Sequence, residues 1–315
     1  MESYRRYSEN AVEEMPLYLF DRNFDKLAPR LLDDYQSALY ESCPYFDPTA
    51  EDGLRHDLFS LLGENRRPDH RWLIIGPKQS GSAFHIDPNA THAWNAPIVG
   101  RKRWIFYPPG VPPPGVLPSS DGDEVTMPIS IGEWYLSFWS AHVKQRRHPD
   151  PTKRPIECTV SPGSILFVPH GWWHTVMNLD SVGIALTQNY VSKSNLSDVL
   201  RFCKRKQRQI SGCRDRSDQG AIQPERLYDE FVRVLEERCS NSGNDSLDLA
   251  AVKEQAEKGW CCAAWNDDDD DDGCKNAASQ QQRNKSVLDQ AKDYLKGDIG
   301  VEGASGFSFS FNFQT

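Results

Sequence analysis

The sequence predicts a mainly β protein, an antiparallel barrel or jelly roll with flanking α-helices. Three observations carry this. Residues 1–192 are rich in Trp, Phe, Tyr, Val and Ile and are punctuated by Gly and Pro. Short strand-like runs recur there between turn residues. After residue 192 the periodicity changes from strand-like to helix-like.

In chain order, the first element is a helix expected over Phe24–Tyr40. Strands are expected over Arg71–Gly76, Trp104–Tyr107, Ser164–Val168, His174–Asn178 and Gly183–Val191. Between Trp104 and Glu133 the run YPPGVPPPGVLP holds six prolines and reads as a stiff loop on the rim of a cleft. Residues 193–260 contain three helical segments, NLSDVLRFCKRKQRQ, PERLYDEFVRVLEER and SLDLAAVKEQAEK, each opened by a capping residue or a proline. Leu227, Phe231 and Leu235 form an apolar stripe on the second. That stripe serves either to pack on the barrel or to form a homodimer surface. Residues 261–315 read as an acidic, low-complexity tail, with an aspartate run at Asp267–Asp272 and the alternating end FSFSFNF.

The totals exclude some classes. The chain has 315 residues, 38% hydrophobic and 26% charged, with a formal net charge of −9. An acidic chain is not a general nucleic-acid binder. No apolar run is long enough to span a bilayer, so no membrane partner is expected. The N-terminus lacks the apolar core of a secretory signal. Eight cysteines without C-x-x-C spacing fit reduced thiols in the cytosol or nucleus. One basic stretch stands out, Arg201–Gln209, with five basic residues in nine, and is a candidate contact for RNA phosphates.

Chemistry concentrates in GSAFHIDPNATHAWN and FVPHGWWHTVMN. His85 and Asp87 lie two apart, the spacing that puts two side chains on one strand face. His174 opens a later strand. Two histidines and a carboxylate are the donor set that holds Fe(II) on one face and leaves the other open to a co-substrate and O₂. Alone, a His-x-Asp pair is common by chance. Lys102 and Trp104 share one face of their strand, and a lysine turned into a barrel needs an anion. Thr187 and Asn189 share a face in ALTQNY, and Tyr18 and Asn95 are further polar candidates.

HIDPNATHAWNAPIVGRKRWIFYPP, PGSILFVPHGWWHTVMNLD, ALTQNYV, PLYLFD and ENRRPDHRWLIIGPKQSG together resemble the jumonji-C (JmjC) Fe(II)/2-oxoglutarate oxygenases, over roughly Tyr4 to Ser194. The subfamily most similar is that of the arginine demethylases and lysyl hydroxylases. The resemblance implies a double-stranded β-helix, cupin-like core. It implies that His85, Asp87 and His174 bind iron, and that Lys102 and Thr187 hold the far carboxylate of 2-oxoglutarate. Tyr18, Asn95 and Asn189 match further pocket positions, and Ser82 stands where the family commonly has Thr. It further implies a protein substrate, through Lys or methyl-Arg side chains of histone or RNA-processing proteins, and a nuclear location. Two alternatives stay open: a JmjC hydroxylase acting on another residue or on tRNA, and a catalytically silent cupin-like module binding protein or RNA. The family carries a longer segment before PLYLFD, so a truncated gene model or a short form is expected.

Overall fold

The computed structural model describes residues 2–31, 57–119, 122, 124–213, 220–241, 247–258 and 309–310. Eleven strands build the barrel region: β1 (Leu19–Asp21), β2 (Arg71–Gly76), β3 (Gly81–His85), β4 (His92–Val99), β5 (Lys102–Tyr107), β6 (Leu117–Pro118), β7 (Val125–Thr126), β8 (Ile156–Val160), β9 (Ser164–Val168), β10 (Trp173–Asn178) and β11 (Gly183–Tyr190). A short β12 (Phe309–Ser310) pairs with Ile165 and Ser164 at the edge of β9. It is the part of the 261–315 tail that lies within the described residues; the aspartate run lies outside them.

The strands form one sheet in the order β1-β2-β11-β4-β9-β12, a second in the order β3-β10-β5-β8, and the ribbon β6-β7. All pairings are antiparallel. Strands far apart in sequence are neighbours, β4 beside β11 and β3 beside β10, which is jelly-roll connectivity. The two sheets close on a core of Ala93, Trp104, Phe106, Val160, Leu166, Val168 and Val176. These residues alternate with outward-facing ones, as the period of two requires.

The expected strands form with small shifts of boundary. The expected helix Phe24–Tyr40 does not run unbroken. Helix spans Phe24–Leu27, stops at Ala28 (φ −141°, ψ 71°) and resumes at residues 29–31; residues 32–40 lie outside the described residues. Pro29 is the reason, because the residue before a proline is pushed out of the α region.

A helix that the sequence reading missed, Ile131–Gln145, covers the outside of the second sheet. Its signal was present as a capping box in S-I-G-E. Ser130 Oγ accepts from Glu133 N at 2.8 Å, and Glu133 Oε2 accepts from Ile129 N at 2.8 Å. Its many aromatic residues are helix-indifferent and favour strands, which weakens a helical reading. Trp134 packs on Phe84 at 4.8 Å, and its indole N–H donates to Pro114 O at 2.8 Å. The Pro-rich loop is thereby fastened to this helix. His142, which reads from sequence as an ordinary polar position, is fully buried on the inner face of this helix, between Tyr107 Oη (2.7 Å) and Glu157 Oε1 (3.0 Å).

The C-terminal segments fold as helices Leu196–Arg205, Pro224–Asn241 and Leu249–Glu257. Leu227, Phe231 and Leu235 are each fully buried, in a cluster that also takes Leu58, Phe59 and Leu62 from before the barrel. The stripe is therefore spent inside the chain and is not a dimer surface. Phe231 packs against Phe59 with ring centroids 4.6 Å apart and the rings tilted by 56°. Phe231→Ala is expected to cost about 3–5 kcal/mol by transfer and cavity terms, measured as a lower urea midpoint at unchanged slope.

Candidate metal and co-substrate site

β10 places His174, Val176 and Asn178 on the inner face of the barrel, opposite Phe106, Trp104 and Lys102 of β5. On its other side His174 pairs with His85, and Val176 pairs with Ser82. Two residues of β10 thus span three of β3, which is a β-bulge at Ala83 and Phe84. The bulge lets Phe84 turn outward onto Trp134 while His85 and Ser82 both face the barrel interior.

Strand β3 ends at His85, so Asp87 does not share a strand with it as the spacing predicted. Asp87 sits at the start of a tight turn, Pro88–Ala90, in which Asn89 (φ 58°) and Ala90 (φ 55°) are left-handed. Such backbone is costly for residues other than glycine. It is held from outside the barrel: Asn89 exchanges two 3.0 Å hydrogen bonds with Ser211, and Asn195 Nδ2 donates to Ala90 O at 2.9 Å. The C-terminal region thus braces the turn that presents the carboxylate.

The three side chains converge. Their donor atoms lie within 4.8 Å of one another. His85 Nε2 and His174 Nε2 are each 3.8 Å from Asp87 Oδ1, too far for hydrogen bonds and suited to a shared ion. His85 Nδ1 faces Ala83 O at 2.8 Å, and His174 Nδ1 faces Trp172 O at 3.0 Å. A carbonyl can only accept, so each Nδ1 carries the proton and each Nε2 lone pair is free for a metal. Burial holds the His174 imidazole neutral, well below its usual pKa, helped by the neighbouring His85. Burial also pushes the Asp87 carboxyl up, opposed by His85 and Asn189. Asp87 Oδ2 is buried with no hydrogen-bond partner among the described residues. An anionic oxygen left so is expensive, and a divalent cation at this point relieves it. The donor set fits Fe(II).

Four residues along β10 from His174, about 14 Å at 3.4 Å per residue, lies a second polar centre. Lys102 is fully buried and donates to Tyr18 Oη (2.7 Å) and Asn178 Oδ1 (2.8 Å). Both partners are neutral. Burial accordingly lowers the ammonium pKa to about 7 and raises that of the Tyr18 phenol. A Cβ on Gly76 would collide with Ser80 Oγ and the Tyr18 ring, and one on Gly183 would lie 2.7 Å from Asn178 Cγ. The two glycines make the room this centre needs.

The other candidates lie between the two ends. Thr187 and Asn95 are cross-strand partners. Thr187 Oγ1 donates to Trp94 O at 2.8 Å, so meeting a carboxylate requires giving up that bond. Asn95 Oδ1 and Trp104 Nε1 are buried without hydrogen-bond partners among the described residues. Asn189 Nδ2 donates to Thr91 Oγ1 at 2.8 Å. Trp104 and Phe106 stand 6.0 and 5.8 Å from the His174 ring and, with Val176, form an apolar wall. Trp94, Trp104 and Trp173 are core residues, 2–5% exposed. His170, off the motif, ties its turn to the C-terminal helices by facing Asp198 at 2.8 Å.

Sequence reasoning missed Asn178 and Ser80. Their signal was faint: Asn178 continues the inward alternation of His174 and Val176. In the basic run Arg201–Gln209, Arg201 is buried, 2% exposed, and donates to Ala256 O; Lys204 pairs with Glu257 at 2.6 Å on the surface, and Arg205 and Arg208 are exposed. Arg201 and Lys204 tie this helix to helix Leu249–Glu257. Among the described residues no helix is long and apolar enough to cross a membrane.

Comparison with known proteins agrees with this geometry. The chain is 47% identical over 260 residues to the arginine-specific demethylase JMJ22 of Arabidopsis thaliana, covering 82% of this chain and 46% of the relative. It is 38% identical over 200 residues to the bifunctional arginine demethylase and lysyl-hydroxylase psr-1 of Caenorhabditis elegans, covering 62% and 45%. It is 29% identical over 201 residues to the 2-oxoglutarate and iron-dependent oxygenase JMJD4 of Gallus gallus, covering 59% and 45%. The chain therefore spans less than half the length of these relatives. A cupin-like domain profile matches residues 2–195, and with the triad inside a jelly roll the chain belongs to the cupin-like JmjC domain family.

Proposed function

We propose that this chain is an Fe(II)- and 2-oxoglutarate-dependent oxygenase that hydroxylates lysine side chains or demethylates methyl-arginine in proteins. The observation that carries the reading is that one barrel holds two matched centres. At its mouth stand three converging metal donors with free lone pairs; at its depth stands a buried cation with no anionic partner among the described residues. A 2-oxo dicarboxylate is the ligand class that spans both.

His85, Asp87 and His174 would hold the iron, each imidazole oriented by a backbone carbonyl. Iron bound there supplies the O₂ chemistry that couples oxidation of 2-oxoglutarate to succinate and CO₂ with insertion of one oxygen atom into a C–H bond. Lys102 receives the far carboxylate of the co-substrate through a charge-assisted hydrogen bond, and Tyr18 stands beside it. Trp104, Phe106 and Val176 keep water from the space between. The His85 side chain, 40% exposed against 4% for His174, marks the side from which a substrate side chain enters. A nuclear location belongs to the same reading, and imaging of the tagged chain checks it.

The test is mass spectrometry of peptide libraries incubated with the protein, Fe(II), ascorbate and 2-oxoglutarate. The expected product is Lys carrying one added oxygen atom, or methyl-Arg that has lost its methyl group as formaldehyde. Libraries unchanged at both residue types, while succinate also fails to form, would sink the reading.

A further inference from the structure

We infer that Asn178, held by Ser80, is a positioning residue that aims Lys102 at the far carboxylate of the co-substrate and keeps that cation uncompensated, so that the site selects dicarboxylates. The inference rests on the 2-oxoglutarate reading above.

An ammonium can only donate, so the amide atom facing Lys102 Nζ at 2.8 Å is the oxygen of Asn178. The amide nitrogen then faces Ser80 Oγ at 2.9 Å. Ser80 spends its own hydrogen on Pro77 O at 2.6 Å, which leaves its lone pairs to accept from Asn178. The amide therefore cannot flip without setting donor against donor. The backbone fixes the same residues, since Asn178 N donates to Ser80 O at 2.8 Å and Gln79 N to Asn178 O at 2.9 Å.

Of the three N–H bonds of Lys102, Asn178 and Tyr18 take two and the third is left for a ligand. The amide does this without adding charge. The acid nearest along the chain, Asp180, is taken by Arg101 through contacts of 2.7, 2.8 and 3.1 Å. A carboxylate at position 178 would satisfy the ammonium permanently and imitate the ligand. A 2-oxo acid lacking a second carboxylate leaves the buried charge unmatched.

Asn178→Asp, close to isosteric, tests this. Expected are a KM for 2-oxoglutarate raised about 100-fold or more, by loss of the ligand's buried charge pair, and kcat at saturation little changed. Iron content should match the wild type. The ligand-free thermal midpoint should rise, and protection by 2-oxoglutarate against melting should disappear. Ser80→Ala, which frees the amide, should raise KM about tenfold and guards against a misfolded first variant. Folded variants with wild-type KM and wild-type thermal protection overturn the inference alone. A wild type that binds no 2-oxoglutarate, in melting or in calorimetry, overturns the functional reading and the inference with it.

Discussion

Asp87→Ala combined with His174→Ala is expected to abolish succinate formation from 2-oxoglutarate and to empty the iron site. Even the loss of an outer partner of a metal ligand costs about 10–100-fold, and this variant removes two of three ligands, so the loss should exceed about 100-fold. The fold should survive. Asp87 carries a buried oxygen with no hydrogen-bond partner among the described residues, and His174 contributes one backbone hydrogen bond and ring contacts. With metal absent, deleting the stranded carboxylate relieves a desolvation penalty. The metal-free variant should therefore melt within a few degrees of the metal-free wild type. Iron by elemental analysis and succinate by chromatography are the measurements. Wild-type turnover in the folded double variant would remove the triad from the chemistry.

Lys102→Met should separate co-substrate binding from iron binding. Truncating one partner of a buried, hydrogen-bonded charge pair costs about 2–5 kcal/mol, or roughly 30- to 4000-fold in KM at about 1.4 kcal/mol per tenfold. Iron retention should hold, because Lys102 touches none of the three ligands. An unchanged KM would return Lys102 to a purely structural role.

The pH dependence has two signs. Burial lowers the Lys102 pKa from 10.5 to about 7. Between those values the unfolded chain holds more protons at this site than the folded one. Ligand-free stability at this site therefore rises with pH through that window, and the burial cost is fully present below pH 7. Binding of 2-oxoglutarate runs the other way, because it requires the ammonium. Affinity should fall by up to about tenfold per pH unit above about 7. Lys102→Met should show neither slope, whether followed by melting or by titration calorimetry.

Legibility in the sequence followed local pattern. Arg71–Gly76 and Ser164–Val168 were readable to the residue, because strand alternation bounded by turn residues is a local signal. The stripe Leu227/Phe231/Leu235 was readable as helix, although its partner was not, since Leu58, Phe59 and Leu62 lie more than 160 residues earlier. Helix Ile131–Gln145 was hidden by its aromatic content, with only its capping box to betray it. Arg201 read as a surface cation because charge says nothing of what a helix face meets.

The sequence by itself determined the residue types and their chemistry: two imidazoles and a carboxylate in a spacing that suits a metal, a lysine on a strand face that alternates inward, and the jelly-roll class. These follow from side-chain identity and from periods of two and 3.6, which are properties of short segments. Tertiary structure alone decided how the pieces meet. A one-residue bulge in β3 turned His85 and Ser82 inward together. A turn braced by Ser211 and Asn195 carried Asp87 to the histidines from beyond the strand. The β5–β10 register set Asn178 against Lys102, and Gly76 and Gly183 left space for both. Each of these depends on pairing between residues far apart in the chain, and register, unlike periodicity, is fixed only when the strands have met.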